Sequence, residues 1–398
     1  MRIAVIGTGI AGLGAAYALS RRHEVELFER EGRPGGHTHT IEHDGLALDT
    51  GFIVHNRPNY PGLVRLFREL GIRTQHSEMS FSVSCPRHRL EYAGRRPLGH
   101  APTRLVREIV RFLRNARATV AETDGQTLGD YVDAHGYSPQ FRDHFLVPLT
   151  ASIWSSGTNA ALEFPAGYAL RFFDNHGMLG FRRKRWRTVS GGSRVYVAAL
   201  LERSRATLHV GLPVRAVART AEGVEVRTDD DAPRAFDGVV VAVHGDEALP
   251  LLADPRDDER RILSAFRSTT SETVLHTDER LLPGRGARAS WNYRLADCGS
   301  PNGHPTITYY LNRLQRLETD RHYCVTLNRT HDIAEQHVIR RISYRHPLYT
   351  FESLRAQAEL PSLNRGRTAF AGAWQGFGFH EDGLASGLRA AAAFGADW

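Results

Sequence analysis

Met1-Arg-Ile-Ala-Val-Ile-Gly7-Thr-Gly9-Ile-Ala-Gly12-Leu-Gly14 opens the chain, and Val25-Glu-Leu-Phe-Glu29 follows after a helix-length interval. Ile3 to Ile6 is a short apolar run with β-branched residues, which suits a strand buried on both faces. Three glycines come next. Gly7 allows a tight turn, Gly9 lets a pyrophosphate approach the backbone, and Gly12 lets a helix pack on the strand. From Ile10 to Arg22 the apolar residues recur at helical spacing. Ile10 and Ala11 therefore sit at a helix start, where free N–H groups and a partial positive charge face phosphate. Val25 to Phe28 forms the second strand. Glu29 at its end is placed to accept both hydroxyls of an adenosine ribose, and an acid there disfavours a 2′-phosphate. A lone GxGxxG says little. Strand, glycines, helix, strand and acid in that order, within about thirty residues, predict a dinucleotide-binding βαβ unit.

The chain continues Glu29-Arg30-Glu-Gly-Arg33-Pro-Gly35-Gly36-His37-Thr38-His39-Thr40. Gly35-Gly36 offers a second place where backbone can touch phosphate, and Arg33 supplies a fixed charge. This stretch resembles the motif E-x-x-x-R-x-G-G-R-x-x-T of the flavin-containing amine oxidase and phytoene desaturase superfamily. His37 stands where that family has its second arginine, beside flavin and pyrophosphate. The resemblance implies FAD as cofactor, with Arg30, His37 and Thr38 among the residues around it. Asp49-Thr50-Gly51-Phe52-Ile53 is similar to the segment that passes under the isoalloxazine ring in the family. That makes His55 and Asn56 candidates to face the substrate. Alternatively both cap the next helix, which is predicted from near Pro58 to Leu70.

Two later stretches extend the resemblance. Val189-Ser-Gly191-Gly192-Ser193 is similar to a turn that re-enters the flavin domain, and Val214 falls where related flavoproteins bring backbone to the adenine. Phe370-Ala-Gly372-Ala-Trp374-Gln-Gly376-Phe-Gly378-Phe-His380-Glu381-Asp382-Gly383-Leu384-Ala-Ser386-Gly387 resembles the family's carboxy-terminal flavin motif, a strand, a glycine-rich loop and a helix start. It implies cofactor contacts at Gly372, His380, Glu381, Asp382 and Leu384, with His380 and Glu381 approaching the flavin through backbone N–H groups. Trp374 stands where many relatives have an acid. No cysteine lies in this motif, so a thioether link to flavin there is excluded.

Composition narrows the class. The 398 residues are 41% hydrophobic and 24% charged, which is a globular balance with room for one large or two medium cores. No apolar run approaches a membrane span, and the chain enters a strand at once with no leader, so a cytoplasmic location is expected. Cys85, Cys298 and Cys324 are odd in number and widely spaced, predicting neither a disulfide framework nor a metal site. Net charge is +7, and Lys184 is the one lysine, so arginine carries the basic charge. A Schiff-base lysine, or the flavin-facing lysine of many amine oxidases, has almost no candidate.

Between the flavin segments lies a second type of sequence. Phe81 and Val83 begin a strand. Residues 102–122 predict an amphipathic helix, with Leu105, Ile109 and Phe112 on one face and Arg104, Arg107, Arg111 and Arg114 on the other. Such a helix has one core face, and its basic face also suits an anionic membrane surface. Leu146 to Ser156 and Phe164 to Met178 are apolar and aromatic. Arg182, Arg183, Lys184, Arg185 and Arg187 surround Trp186, a cluster too short to indicate nucleic-acid binding. Thr306-Ile-Thr-Tyr-Tyr310 predicts a strand; its alternating Thr306, Thr308 and Tyr310 either form one wall of an active site or are ordinary strand formers on an exposed polar face.

The expected fold is therefore α/β: a Rossmann-type FAD-binding domain of the glutathione reductase type 2, amine-oxidase-like, with an interleaved α+β substrate domain. Residues 1–78, 189–245 and 345–398 are assigned to the first, and 79–188 and 246–344 to the second. The closing Phe-His-Glu-Asp-Gly and the Thr-Tyr…Asn-Arg-Leu-Gln stretch resemble a bacterial branch of predicted flavin oxidoreductases associated with cyclopropane and modified fatty acid synthesis. That resemblance implies a hydrophobic, fatty-acyl or lipid substrate and a dehydrogenase, desaturase or isomerase reaction at flavin N5. His55, His380 and Tyr310 are the candidate catalytic residues, the histidines because imidazole titrates near neutrality. A flavin amine or amino-acid oxidase, or a non-redox FAD-binding accessory protein, are the alternatives; oligomeric state is left open.

Overall fold

A computed structural model describes residues 1–93, 101–154, 158–179, 184–230, 233–295 and 306–398. Arg182, Arg183 and Cys298 lie outside them. The chain opens with strand β1 (Arg2–Ile6), helix α1 (Ile10–Leu19) and strand β2 (Glu24–Phe28). Helix α2 (Pro61–Glu69) leads to strands β3 (Phe81–Cys85) and β4 (Leu90–Ala93). Helices α3 (Thr103–Thr119), α4 (Val147–Trp154) and α5 (Ala166–Asn175) follow. Strands β5 (Thr207–His209) and β6 (Gly238–Val241) come next. Strands β7 (Arg267–His276), β8 (Trp291–Arg294), β9 (Thr306–Tyr310), β10 (Cys324–Leu327) and β11 (Val338–Leu348) continue the chain. Strand β12 (Thr368–Phe370) and helix α6 (His380–Ala392) close it.

Two sheets organise these elements. The first has the order β5-β2-β1-β6-β12 and is parallel throughout. Ile3, Ala4, Val5, Val239, Val240 and Val241 are wholly buried, as the unbroken apolar runs require of a sheet covered on both faces. Helices α1 and α6 lie against it, and they approach closely because both are built of small residues. A Cβ added at Gly387 would stand 2.0 Å from the Ala11 carbonyl oxygen. The second sheet has the order β11-β7-β10-β9-β8-β3-β4, antiparallel except for the β8–β3 pair. β11 belongs to this sheet and runs to Leu348, so the expected boundary between 344 and 345 falls inside a strand.

Helices α3 to α5 form a second core with this sheet. Leu105, Ile109, Phe112 and Ala116 bury one face of α3, joined by Phe141, Trp154, Phe164, Phe172 and Phe173. Each large apolar side chain removed from water there contributes on the order of 2 kcal/mol. The opposite face of α3 exposes Arg104, Arg107, Arg111, Arg114 and Arg117. Arg111 lies over the Tyr137 ring and Arg117 pairs with Asp174 on α5. Among the described residues, no helix is long and apolar enough to cross a membrane. Cys85 is disulfide-bonded, although the cysteine spacing predicted no disulfide framework; Cys324 is free and buried.

Candidate functional site

A cavity of about 1510 Å3 runs from the carboxyl ends of β1, β2 and β6 to the face of the second sheet. At one end stands the backbone cradle. Gly7 has φ +96°, and a Cβ there would lie 2.4 Å from the Ala242 carbonyl oxygen, so the turn admits only glycine. A Cβ at Gly12 would lie 1.9 Å from the Gly7 carbonyl oxygen, which is the helix-on-strand contact expected of it. Gly9 differs from both. Its Cβ would meet nothing within 4 Å, and it lines the cavity at the N-terminus of α1. That open space beside unsatisfied helix N–H groups fits a diphosphate. Gly36, with φ +55°, brings the second glycine pair against the first: its Cβ would stand 3.1 Å from Gly9 Cα. Arg33 donates to the carbonyls of Gly36 and Thr38, so it shapes this turn. Glu29 lines the cavity at the end of β2. Its carboxylate accepts from the Thr8 N–H at 3.1 Å, from the Thr8 hydroxyl, and from the Glu31 N–H at 2.9 Å.

Aspartate 49 ties the next segment together. It is wholly buried and accepts from Ser193 N–H and Oγ, Thr40 Oγ1 and Gln315 Nε2. Burial raises its pKa to about 6. The Asp-Thr-Gly segment and the Gly-Gly-Ser turn, more than a hundred residues apart in the chain, are thereby locked to each other on the cradle's flank. Thr50, Gly51, Phe52 and Ile53 line the cavity beyond this lock.

The far end of the cavity is a chamber of apolar and aromatic side chains. Ile153 and Trp154 come from α4, Phe172 from α5, Trp291 from β8, Tyr309 from β9, Leu327 from β10 and Ile342 from β11; Met79, Met178 and Trp186 complete it. The Trp154 indole N–H donates to the Phe377 carbonyl at 3.1 Å, which satisfies its one polar atom and leaves the ring free to form wall. The acids lining the cavity, Glu29, Glu31, Asp246 and Glu247, gather at the cradle. Glu247 pairs there with Arg30, and Arg345 pairs with both Asp246 and Glu247.

The sequence that builds this cradle and chamber matches a known family. Its model, described as flavin containing amine oxidoreductase, matches residues 10–394. The chain belongs to this family. The protein is an FAD-dependent oxidoreductase, and the glycine cradle is where FAD fits. Among solved structures, putrescine oxidase bound to putrescine has a TM-score of 0.75 at 16% identity, covering 100% of this chain and 99% of its own. A CLA-producing fatty acid isomerase from P. acnes has a TM-score of 0.71 at 18% identity, covering 97% and 96%. These likenesses are likenesses of fold. Local sequence matches are short. Protoporphyrinogen oxidase 2 of Arabidopsis thaliana is 40% identical over 73 residues, 18% of this chain and 14% of its own. The 4,4'-diapophytoene desaturase of Staphylococcus aureus is 44% identical over 52 residues, 13% of this chain and 10% of its own.

Within this flavin oxidoreductase, sixteen of the residues expected around the cofactor line the cavity: Gly7, Gly9, Ile10, Ala11, Glu29, Arg30, Gly35, Gly36, His37, Thr50, Gly51, Phe52, Ile53, Val214, Gly372 and His380. Five others do not line it, each for a visible reason. Gly12 is consumed by the α1–β1 contact. Thr38 is buried beneath the cavity, bonded to the Tyr196 hydroxyl and to His380 Nε2 at 3.0 Å. Glu381 turns its carboxylate away to accept from the N–H groups of Gly62 and Leu63, at 2.7 and 2.9 Å, so it caps α2. Asp382 accepts from Phe379 N–H and caps its own helix. Leu384 is buried against α1, where a Cβ on Gly14 would touch its Cδ1 at 2.7 Å.

The expected catalytic residues separate in the same way. His380 lines the cavity, stacked on Phe52 at 3.8 Å. Burial pushes its pKa down to about 3, so it is a neutral hydrogen-bonding wall and a weak proton acceptor at neutral pH. His55 is buried outside the cavity lining, edge-on to Phe67 at 5.3 Å, and burial lowers it to about 4. Asn56 serves the turn before α2, its Oδ1 accepting from Asn59 N–H at 3.0 Å. Tyr310 is a correction. Its hydroxyl bonds His322 Nδ1 at 2.7 Å, away from the cavity, and Tyr309 faces the chamber instead. Thr308 likewise points to the other side of the sheet, bonded to Thr326 Oγ1 at 2.8 Å. Three residues at the cradle carry no motif in the sequence: Tyr344, His244 and His346, all lining the cavity around His37.

Among the described residues, Cys85, His88 and His144 bring three metal-ligand atoms within 4.8 Å of one another. With Cys85 disulfide-bonded, its sulfur is not the thiolate that a metal would need.

Proposed function

We propose that this enzyme dehydrogenates, desaturates or isomerises a fatty-acyl or other lipid chain held in the apolar chamber. One observation carries the reading: the wall of Ile153, Trp154, Phe172, Met178, Trp291 and Tyr309 is continuous with the cradle and brings no carboxylate with it. A hydrocarbon chain loses nothing by entering such a wall, whereas an ammonium group there would have no counter-charge. FAD, when bound, accepts or returns a hydride at N5. The chain's own residues do the rest. Phe52 and His380 present a flat, neutral stack beside the cradle, Trp154 and Trp291 exclude water, and the β8 to β11 strands fix the chamber's depth. Kinship supports this range of chemistry, since the relatives include proteins named as a desaturase and a fatty acid isomerase. Lys184 remains the one lysine and Trp374 donates to the Val243 carbonyl at 2.9 Å, neither arrangement favouring an amine oxidase.

The proposal extends to where such a chain is found. The arginine face of α3 suits an anionic lipid surface, and Arg117 ties that helix through Asp174 to α5, whose Phe172 lines the chamber. The reading is tested by mixing purified holoprotein with unsaturated or methyl-branched fatty acyl lipids without oxygen. Flavin bleaching by lipid, or a moved double bond in the recovered lipid, supports it; bleaching by polyamines or amino acids, with lipid inert, replaces it with amine oxidation.

A further inference from the structure

His37, His244 and His346 converge on the cavity from three elements: the turn after Gly36, the end of β6, and β11. The His37 ring lies 5.8 Å from that of His244 and 5.5 Å from that of His346, and it stacks on Tyr344 at 4.9 Å. His37 directly follows Gly36, the residue whose backbone abuts Gly9 at the diphosphate cradle. His346 Nδ1 is buried without a hydrogen-bond partner.

Of the fixed charges nearby, Arg30, Arg33 and Arg345 each have an acidic partner, and Arg340 lines the cavity beside His39. Arg30 pairs with Glu247, and Arg345 with Asp246 and Glu247. Arg33 donates to the Gly36 and Thr38 carbonyls. Ser268 donates to Asp246 at 2.7 Å. From α6, His380 faces His37. His39 bonds the Tyr344 hydroxyl at 3.2 Å and lies near Arg33 and Arg340. An FAD diphosphate at Gly9 and Gly36 therefore meets imidazoles where an arginine would supply permanent charge.

We propose that His37, His244 and His346 are the counter-charge for the FAD diphosphate, and that FAD binding draws protons from solvent onto this cluster. Without a ligand, burial first and mutual repulsion second hold His37 well below its ordinary range; burial also lowers His244, and lowers His346 to about 4. The cluster is then neutral at pH 7. A dianion held at the adjoining glycine cradle would reverse the balance, because a nearby opposite charge favours the imidazolium. Affinity becomes linked to pH: FAD is held best where protons are available and is released as pH rises through the raised values. Each proton taken up weakens binding by up to roughly tenfold per pH unit on the alkaline side.

The inference rests on the FAD assignment, and calorimetry separates the two. FAD is titrated into the full chain, freed of flavin, at pH 7 in two buffers of different ionisation enthalpy. The expected result is net proton uptake, repeated with ADP-ribose, which carries the diester diphosphate without the isoalloxazine. His37→Arg, which restores a fixed charge, is expected to keep FAD affinity at pH 9 and to lower the proton count; His346→Gln is expected to lower the count as well. FAD binding with no proton uptake, or uptake with FAD and none with ADP-ribose, overturns the proposal. No FAD binding at any pH overturns the cofactor assignment itself.

Discussion

At the residue scale, Gly9 and Gly12 make opposite predictions from one motif. A Cβ at Gly9 meets no protein atom, whereas one at Gly12 meets the Gly7 carbonyl at 1.9 Å. Gly9→Ala is expected to leave the flavin-free protein as stable as before and to weaken FAD binding at least tenfold, read by quenching of FAD fluorescence. Gly12→Ala is expected to destabilise the fold by about 1–3 kcal/mol through overpacking, read by urea denaturation. Equal stability loss in both would mean that Gly9 is a packing glycine. The difference was legible in the sequence, because a glycine motif between a strand and a helix assigns separate tasks to its members. The histidine cluster was not. His37 and His346 are distant along the chain and meet only because β11 runs beside the cradle.

At the element scale, a helix end explains where one motif side chain goes. Glu381 is expected to approach the flavin through its backbone, and its carboxylate satisfies the first N–H groups of α2, the positive end of that helix. Glu381→Ala is expected to lower stability by about 1–2 kcal/mol while FAD affinity changes little, measured by urea denaturation and flavin titration side by side. A loss of FAD binding with stability intact would return Glu381 to the flavin. Strand β9 shows the limit of reading alternation. Thr306 and Thr308 are as buried as Ile307, because neighbouring strands cover β9 in the middle of a seven-stranded sheet whose two faces are both occupied. Polarity then marks which residues alternate but not which face holds the chamber. Helix α3 was the simpler case, with one apolar face that had a core to fill. Its solvent face gives a further prediction. The Arg104→Glu, Arg107→Glu, Arg114→Glu triple variant is expected to stop sedimenting with phosphatidylglycerol vesicles at low salt, while the unaltered chain sediments with them and not with neutral vesicles. Equal sedimentation of both proteins would remove α3 from any lipid contact.

At the scale of the whole molecule, buried imidazoles set the response to acid. Burial lowers His55, His176, His276 and His346 to about 4, and His380 to about 3. In the unfolded chain these groups titrate near 6.5. Between those limits the unfolded state binds more protons, so their contribution is full above about 6.5 and is lost as pH falls toward 4. Asp49 and Asp382, raised to about 6, act in the opposite sense below that pH, but they are fewer. The flavin-free protein is therefore expected to need less urea to unfold at pH 5 than at pH 7; an unchanged or higher midpoint would show that these rings are more hydrated than their burial implies. The interleaving of the chain follows from the same scale. The parallel sheet takes strands from both ends and the middle, and the segments between them build the second sheet and its helices. Motifs announce the first sheet because cofactor backbone contacts constrain residue type, while the chamber needs only bulk and apolarity, which many sequences supply.

We propose that a hydrocarbon chain in the aromatic chamber exchanges a hydride with the flavin on the glycine cradle. Anaerobic titration of the yellow holoprotein with dispersed unsaturated and methyl-branched fatty acyl lipids, followed by flavin absorbance, tests it most directly. Stoichiometric bleaching by at least one lipid, or a moved double bond in the recovered lipid, with putrescine and amino acids silent, is the predicted result. Flavin that stays oxidised with every lipid and bleaches with an amine would contradict it.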